Sequence, residues 1–248
     1  MPPYVYKGCA ELLLDLTHIF NLSMSSSLFP SIWKTTKVVP IPKVCNTTEI
    51  ADHRPVTLLS VPAKIFESIL HEQIYSQINH FIADGQYGFR ETRSVQTNLA
   101  SFTHTLTKHL DANLQVDVIY TDFAKAFDKV SHNVLVRKLK EMGASINTIE
   151  LLKSYLRERK QYVFYKNTSP LFLCSSGVPQ GSNLGPLLFL VFINDITIGV
   201  RNSIILLYAD DIKLFRPIAQ NSDCYLLEED LHALVAWSGV WVNRSVYG

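Results

Sequence analysis

The tetrapeptide Tyr208-Ala209-Asp210-Asp211, set between two β-rich apolar runs, constrains this chain more than any other feature. Ser203–Tyr208 and Ile212–Phe215 have the composition of paired strands, and the short connection between them reads as a hairpin. Two adjacent carboxylates at its tip raise each other's proton affinity unless a cation neutralises them. A divalent metal is the simplest remedy. A second strand pattern, Val116-Asp117-Val118-Ile119-Tyr120-Thr121-Asp122-Phe123, ends near another acid, Asp122. Together the three carboxylates would make an all-oxygen site suited to Mg²⁺. An isolated Asp-Asp is ordinary turn chemistry, so the order of the surrounding segments decides its meaning.

Most of the first third has helical periodicity. Leu12, Leu13, Leu16, Ile19 and Phe20 form one apolar face, and Ile65, Phe66, Ile69, Leu70, Ile74, Ile78, Phe81 and Ile82 form another. Between them, Trp33–Lys43 is β-prone but carries prolines that a central strand would reject, which predicts an edge strand or extended loop. Its lysines, Lys34, Lys37 and Lys43, are expected to face outward. Further helices are predicted at about 94–110, 133–142, 147–158 and 222–238. A hairpin is predicted around Asn167-Thr168-Ser169-Pro170. The turn Gly177-Val178-Pro179-Gln180-Gly181-Ser182 leads into an apolar helix, Leu184–Ile196, with Ser182 or Asn183 as N-cap. Helices and strands are interleaved rather than separated by a linker.

The chain has 248 residues, 47% of them apolar and 11% aromatic, enough for a substantial core. Its 23 Lys+Arg and 22 Asp+Glu leave a net charge of +1, so any nucleic-acid contact must come from a local basic surface. Cys9, Cys45, Cys174 and Cys224 form no C-x-x-C pair and are expected to be buried free thiols. The longest apolar run, Leu187–Ile193, is too short to span a bilayer. An intracellular setting without membrane contact is the expectation.

Three ordered segments then gain meaning together. Tyr120–Asp128 resembles the first palm motif of reverse transcriptases, Gly177–Ser182 the second, and Tyr208–Asp211 the third. The longer forms, Ala124–His132 and Gly177–Ile196 with Phe192-Ile193-Asn194-Asp195-Ile196, are similar to the non-LTR, LINE-type retrotransposon branch. Ile41-Pro42-Lys43, His53–Leu59 and Gln86-Tyr87-Gly88-Phe89-Arg90 look like that branch's fingers motifs. The resemblance spans about residues 28–241.

That resemblance implies an α+β fold: a polymerase palm, a small antiparallel sheet backed by helices, sharing one continuous core with largely helical fingers. Residues 1–115 would be fingers, 116–132 palm, 133–172 an insertion and 173–248 palm. It implies RNA-directed DNA polymerisation from an RNA template, a primer DNA 3′ end and dNTPs, using Mg²⁺, with Mn²⁺ as substitute. Asp122, Asp210 and Asp211 would be the catalytic, metal-binding residues. Phe123 would offer a backbone carbonyl, Phe127 would exclude the ribose 2′-hydroxyl, and Tyr208 would sit in the substrate site. Lys43 and Arg54 have the chemistry to grip a triphosphate, the guanidinium bidentately. Gln180 and Gly181 would lie against template and base pair, and Arg90 and Arg93 would contact template phosphates.

Some of the family's pattern is missing. Trp237 and Trp241 are present, but Asn243 follows closely and the tail Arg244–Gly248 supplies no matching lysine. Endonuclease and thumb are expected to be absent from this chain, and nuclear residence follows by family analogy alone. The alternative to an active polymerase core is an inactive nucleic-acid-binding remnant or fragment.

Overall fold

The structure, a computed structural model, describes residues 10–241. Cys9, Asn243 and the tail Arg244–Gly248 lie outside the described residues. The chain forms two compact units. One comprises the residues up to His80 together with His132–Leu188; the other comprises Phe81–Ser131 and the residues from Phe189 onward.

The first unit contains helix α1 (Ala10–Ser26), strands β1 (Thr35–Pro42) and β2 (His53–Leu58), and helix α2 (Val61–Ile78). After the chain returns it adds α4 (His132–Glu141), α5 (Ile146–Leu156), and strands β4 (Lys160–Tyr165), β5 (Asn167–Thr168) and β6 (Phe172–Leu173). Its core is aromatic. Phe66 is fully buried, with Phe20 stacked on it at 4.9 Å and Phe29 at 5.8 Å, while Tyr155 meets Phe29 edge-on at 4.9 Å. Such pairs add about 0.5–1.5 kcal/mol each beyond the area they bury.

Strand β1 is not the edge strand its prolines predict. It pairs antiparallel with β2 along Lys37–Pro42 and parallel with β4 along Thr35–Val38. The prolines nevertheless obey the rule behind the expectation. Pro40 and Pro42 fall beyond Val38, where β1 has a partner on one side only, so their missing N–H groups interrupt no second ladder. The lysines of this run also depart from expectation. Lys34 is 9% exposed, Lys37 lies over the Phe164 ring at 3.7 Å, and only Lys43 is exposed. Burial pulls the Lys34 ammonium below the usual lysine range, against the opposing pull of Glu158.

The second unit contains α3 (Val95–Leu110), β3 (Gln115–Thr121), β7 (Ile204–Tyr208), β8 (Asp211–Ile218) and α7 (Asn221–Trp241). Its antiparallel sheet has the order β3-β8-β7. α3 begins with a capping box: Ser94 and Thr97 exchange side-chain to backbone bonds. Phe102 from this helix meets Phe215 edge-on at 5.0 Å and joins Leu206 in the core, while α7 packs along β8.

The apolar helix α6 (Leu184–Ile193) crosses the boundary between units, and Leu184 and the residues from Leu187 to Ile193 are 2% exposed or less. It is shorter than predicted, because Asn194–Gly199 tighten into a 3-10 turn. There the Asn194 carboxamide accepts from Ala83 N (2.7 Å) and donates to Phe81 O (2.8 Å). Two other expectations fail. Leu13 and Ile19 of α1 are half-exposed, leaving Leu16 and Phe20 as its buried face. Cys45 and Cys224 are exposed and Cys174 is partly buried; they sit in a loop, at the start of α7 and beside β6, away from either core.

Residues 81–115 and Asp122 fall in the same compact unit, and residues 133–172 fall in the other.

Candidate active site

The carboxylates are placed by strand register. The β7–β8 hairpin closes at the pair Tyr208↔Asp211, leaving Ala209 and Asp210 as its two central residues. Ala209 takes φ 57°, the positive value that a two-residue hairpin turn demands and that L-residues other than Gly adopt reluctantly. On the other side of β8, β3 pairs down to Thr121↔Ile212, and Asp122 follows directly after that last pair, at the end of the sheet where β8 begins with Asp211. Alternation puts Asp211 on the face that also carries Tyr120, Lys213 and Phe215, and Asp122 comes two residues after Tyr120. Both carboxylates are exposed.

Among the described residues, no three acid, histidine or cysteine side chains converge closely enough to hold one ion. Like-charged carboxylates do not draw together unaided. The donor chemistry fits a hard divalent cation, since all three positions offer carboxylate oxygens on neighbouring backbone sites at one end of the sheet.

The hairpin tip is gripped from outside by Gly85–Gly88. Tyr87 N–H bonds Leu207 O (2.9 Å) and Leu207 N–H bonds Gly85 O (2.8 Å), a single parallel bridge on the free edge of β7. Asn98 from α3 donates to Leu207 O (3.4 Å) and accepts from Lys213 Nζ (2.8 Å). None of Gln86, Gly88, Asn98 or Lys213 stands out by residue type. Gln86 and Gly88 do lie within a segment whose motif was recognisable, and that motif carries support for the Asp-Asp turn.

Phe127 is half-buried, stacked on Phe189 at 4.5 Å and edge-on to Phe89 at 6.2 Å. Phe123 lies 5.9 Å from Trp237, whose indole N–H bonds the Asp195 carboxylate at 2.8 Å. Phe123, Ala126, Phe189, Phe192, Ile193 and Trp237 line a partly open cavity of about 10 Å³, no larger than one water needs. Arg90 and Arg93 turn inward on their own segment. Arg90 donates to Ala83 O, while Arg93 bonds Asp84 through both its carbonyl and its carboxylate and lies over the Tyr87 ring.

The remaining candidates gather on the first unit around β2. The register Ile41↔Arg54 and Pro42↔His53, extended by Lys43 N–H to Asp52 O (2.7 Å), brings Lys43 and Arg54 to one end of the β1–β2 ladder, both exposed. Thr57 N–H bonds Gln180 O at 2.6 Å, and Gly181, at φ 102°, lies so near β2 that a Cβ there would meet Thr57 O at 2.9 Å. Glycine is needed at that position for both reasons.

The helix after this turn is capped twice. Ser182 Oγ accepts from Gly185 N (2.8 Å), and the buried Glu67 carboxylate accepts from Asn183 N (2.9 Å) and Leu184 N (3.4 Å). An anion at a helix N-terminus is favourable. Burial lifts Glu67 above the usual carboxylate range, partly offset by the Arg159 charge. His132 Nε2 bonds Gly177 O at 2.8 Å and fixes the start of the same turn, with burial depressing the imidazole pKa. Glu67 was detectable in the sequence, because it occupies a core position of α2 among Ala63, Phe66, Leu70 and Ile74.

A family model described as Reverse transcriptase (RNA-dependent DNA polymerase) matches residues 41–243. The chain belongs to this family. Among its relatives are the probable RNA-directed DNA polymerase from transposon BS of Drosophila melanogaster, 31% identical over 94% of this chain and 27% of that protein, and the RNA-directed DNA polymerase from mobile element jockey of the same species, 28% identical over 94% of this chain and 27% of that protein. The chain therefore spans about a quarter of these non-LTR retrotransposon proteins. Among solved structures, apo telomerase from Candida Tropicalis superposes with a TM-score of 0.62 at 11% identity, covering 92% of this chain and 47% of that one. At such identity the likeness concerns the fold alone, a mixed α+β arrangement of helices and sheets. Among the described residues no helix is long and apolar enough to cross a membrane.

Proposed function

We propose that this chain is the polymerising core of an RNA-directed DNA polymerase, adding dNTPs to a primer 3′-hydroxyl on an RNA template during retrotransposition. One observation carries the proposal: β3 pairs with β8 down to Thr121↔Ile212, so Asp122 follows directly at the end of the sheet that also bears Asp211 and the turn residue Asp210. The three-stranded sheet corresponds in this reading to the palm (116–132 and 173–248), with fingers in 1–115 and an insertion in 133–172.

Asp122 and Asp210 would hold two Mg²⁺ ions, with Mn²⁺ as substitute, and Asp211 would support them. Ions bound there supply the charge that activates the primer oxygen and stabilises the leaving pyrophosphate. The primer 3′-oxygen bonds to the α-phosphorus as the bond to pyrophosphate breaks. Lys43 and Arg54 have charges suited to the triphosphate, and Gln180 with Gly181 offers backbone to the base pair and template. Phe123 would contribute its carbonyl, Tyr208 would border the nucleotide, and Phe127 would exclude a 2′-hydroxyl. Its stack on Phe189 supplies the stiffness such a role needs.

Primer extension on an RNA template with Mg²⁺ or Mn²⁺ tests the proposal, comparing the chain with Asp210→Asn. Incorporation lost in a variant that retains its thermal transition is the expected result. Equal incorporation by both would remove Asp210 from the chemistry, and salt-sensitive RNA binding with no incorporation by either would favour a binding remnant.

A further inference from the structure

Gln86 is an uncharged residue with 2% exposure, yet every polar atom of its side chain is used on or beside one turn. Its Oε1 accepts from Ala209 N (3.0 Å) and Gly88 N (2.8 Å), and its Nε2 donates to Ala209 O at 3.4 Å. Ala209 thus has both backbone polar groups engaged by a single carboxamide, in the residue immediately before Asp210. Ala209 is also at φ 57°, a conformation costly to a residue with a Cβ and kept only where the surroundings enforce it. The ladder closes at Tyr208↔Asp211 and pairs no group of Ala209 itself. The Gln86 carboxamide supplies the missing partners.

We propose that Gln86 is a positioning residue for Asp210. By holding the Ala209 peptide on both sides, it fixes the direction in which the Asp210 Cα presents its carboxylate. The inference rests on the reading of Asp210 as a metal-holding group. Support of this kind around a ligating residue is typically worth about 10–100-fold in metal affinity or activity.

The test compares the unaltered chain with Gln86→Met, which keeps the side chain's length and loses its hydrogen bonds, and with Phe102→Leu, a core change elsewhere in the same unit. Three quantities are measured: Mn²⁺ affinity by water-proton relaxation without nucleic acid, kcat and KM for dNTP in primer extension, and amide hydrogen exchange at Ala209. Gln86→Met should weaken Mn²⁺ binding and lower kcat by about tenfold or more, leave KM within twofold, and expose the Ala209 amide to faster exchange. Phe102→Leu should lower the melting temperature without moving the Mn²⁺ affinity. Unchanged exchange and Mn²⁺ affinity in Gln86→Met, or an equal loss of Mn²⁺ affinity in Phe102→Leu, would overturn the proposal. If the unaltered chain neither binds Mn²⁺ nor incorporates dNTP, the reading of Asp210 fails, and the exchange rate at Ala209 still decides whether Gln86 fixes the turn.

Discussion

A single methyl group at Gly88 should disable the site without touching a carboxylate. A Cβ at this position would stand 3.0 Å from Ala209 Cα and 3.1 Å from the Tyr208 carbonyl carbon, and nearer still to Ala209 N. Non-bonded carbons settle at about 3.5–4.0 Å, so the turn must retreat by about 0.5–1 Å. All of these atoms are backbone, and no rotamer change relieves the clash. Gly88 has no positive φ, so alanine brings no conformational penalty of its own and the effect is steric. A shift of this size beside reacting groups costs about 10²-fold in rate, or about 2.7 kcal/mol of barrier. Overpacking should also remove about 1–3 kcal/mol of stability. Single-nucleotide primer extension paired with thermal melting followed by circular dichroism measures both. Two further glycines calibrate the result. Gly85→Ala would place a Cβ 2.7 Å from Ile205 O, near the far end of β7, and should cost stability with a smaller rate loss. Gly239→Ala meets nothing within 4 Å on α7 and should gain up to about 1 kcal/mol. A Gly88→Ala chain with the unaltered rate and melting temperature would refute the steric reasoning. Equal rate losses in Gly85→Ala and Gly88→Ala would refute the link to the turn.

Two predictions concern the anchors. Asp230 accepts the N–H groups of Arg201 (2.9 Å) and Asn202 (2.8 Å), so Asp230→Ala should cost about 1–3 kcal/mol in urea denaturation. Burial pushes the Asp230 carboxyl up, but the N–H donors at Arg201, Asn202 and Ser203 outweigh it, and its pKa lies below the ordinary 3.8. Its contribution is therefore present above pH 3.8 and lost as pH falls through the lower folded value, and the alanine variant should lack that acid limb. Glu67 has the opposite sign. Lifted above 4.5 mainly by burial, it contributes fully below that pH, and the contribution declines as pH rises through the folded value. Glu67→Gln should flatten the decline in a pH series of denaturation midpoints, and an unchanged slope would contradict the assignment.

Much of the fold was readable because it follows period and capping. Helical spacing locates α3, whose capping box is a finding of the structure, and the Gly-Pro turn locates the start of α6. The acids drew notice by their places, Asp122 at the end of a β-rich run and Asp210 at a hairpin tip, but the role proposed for them came from the ordered motifs that resemble reverse transcriptases. What escaped the sequence depends on contacts between distant segments. The prolines of β1 correctly indicate a one-sided ladder, but only the partial parallel pairing with β4 shows that the one-sidedness begins after Val38. Lys34 looked like a solvated charge, and its burial follows from packing that no local pattern encodes. Gln86 carries a neutral side chain, and its role depends on a residue 123 positions away.

The two units are interlaced along the chain: each is assembled from two stretches, with the polypeptide changing unit after His80, Ser131 and Leu188. During synthesis the Gln86 segment therefore emerges long before the hairpin it supports, and the first unit cannot close until residues 132–188 have followed. Contacts so far apart in sequence make folding slow and leave apolar surface uncovered meanwhile. In a family whose relatives are encoded by mobile elements, this has a genetic consequence. A copy interrupted at residue 188 would lose α6 beyond its midpoint and the whole Asp-Asp hairpin, and no single cut would release either unit as one uninterrupted piece of chain. Copies shortened within this region should be lost as folded proteins rather than persist as half-enzymes.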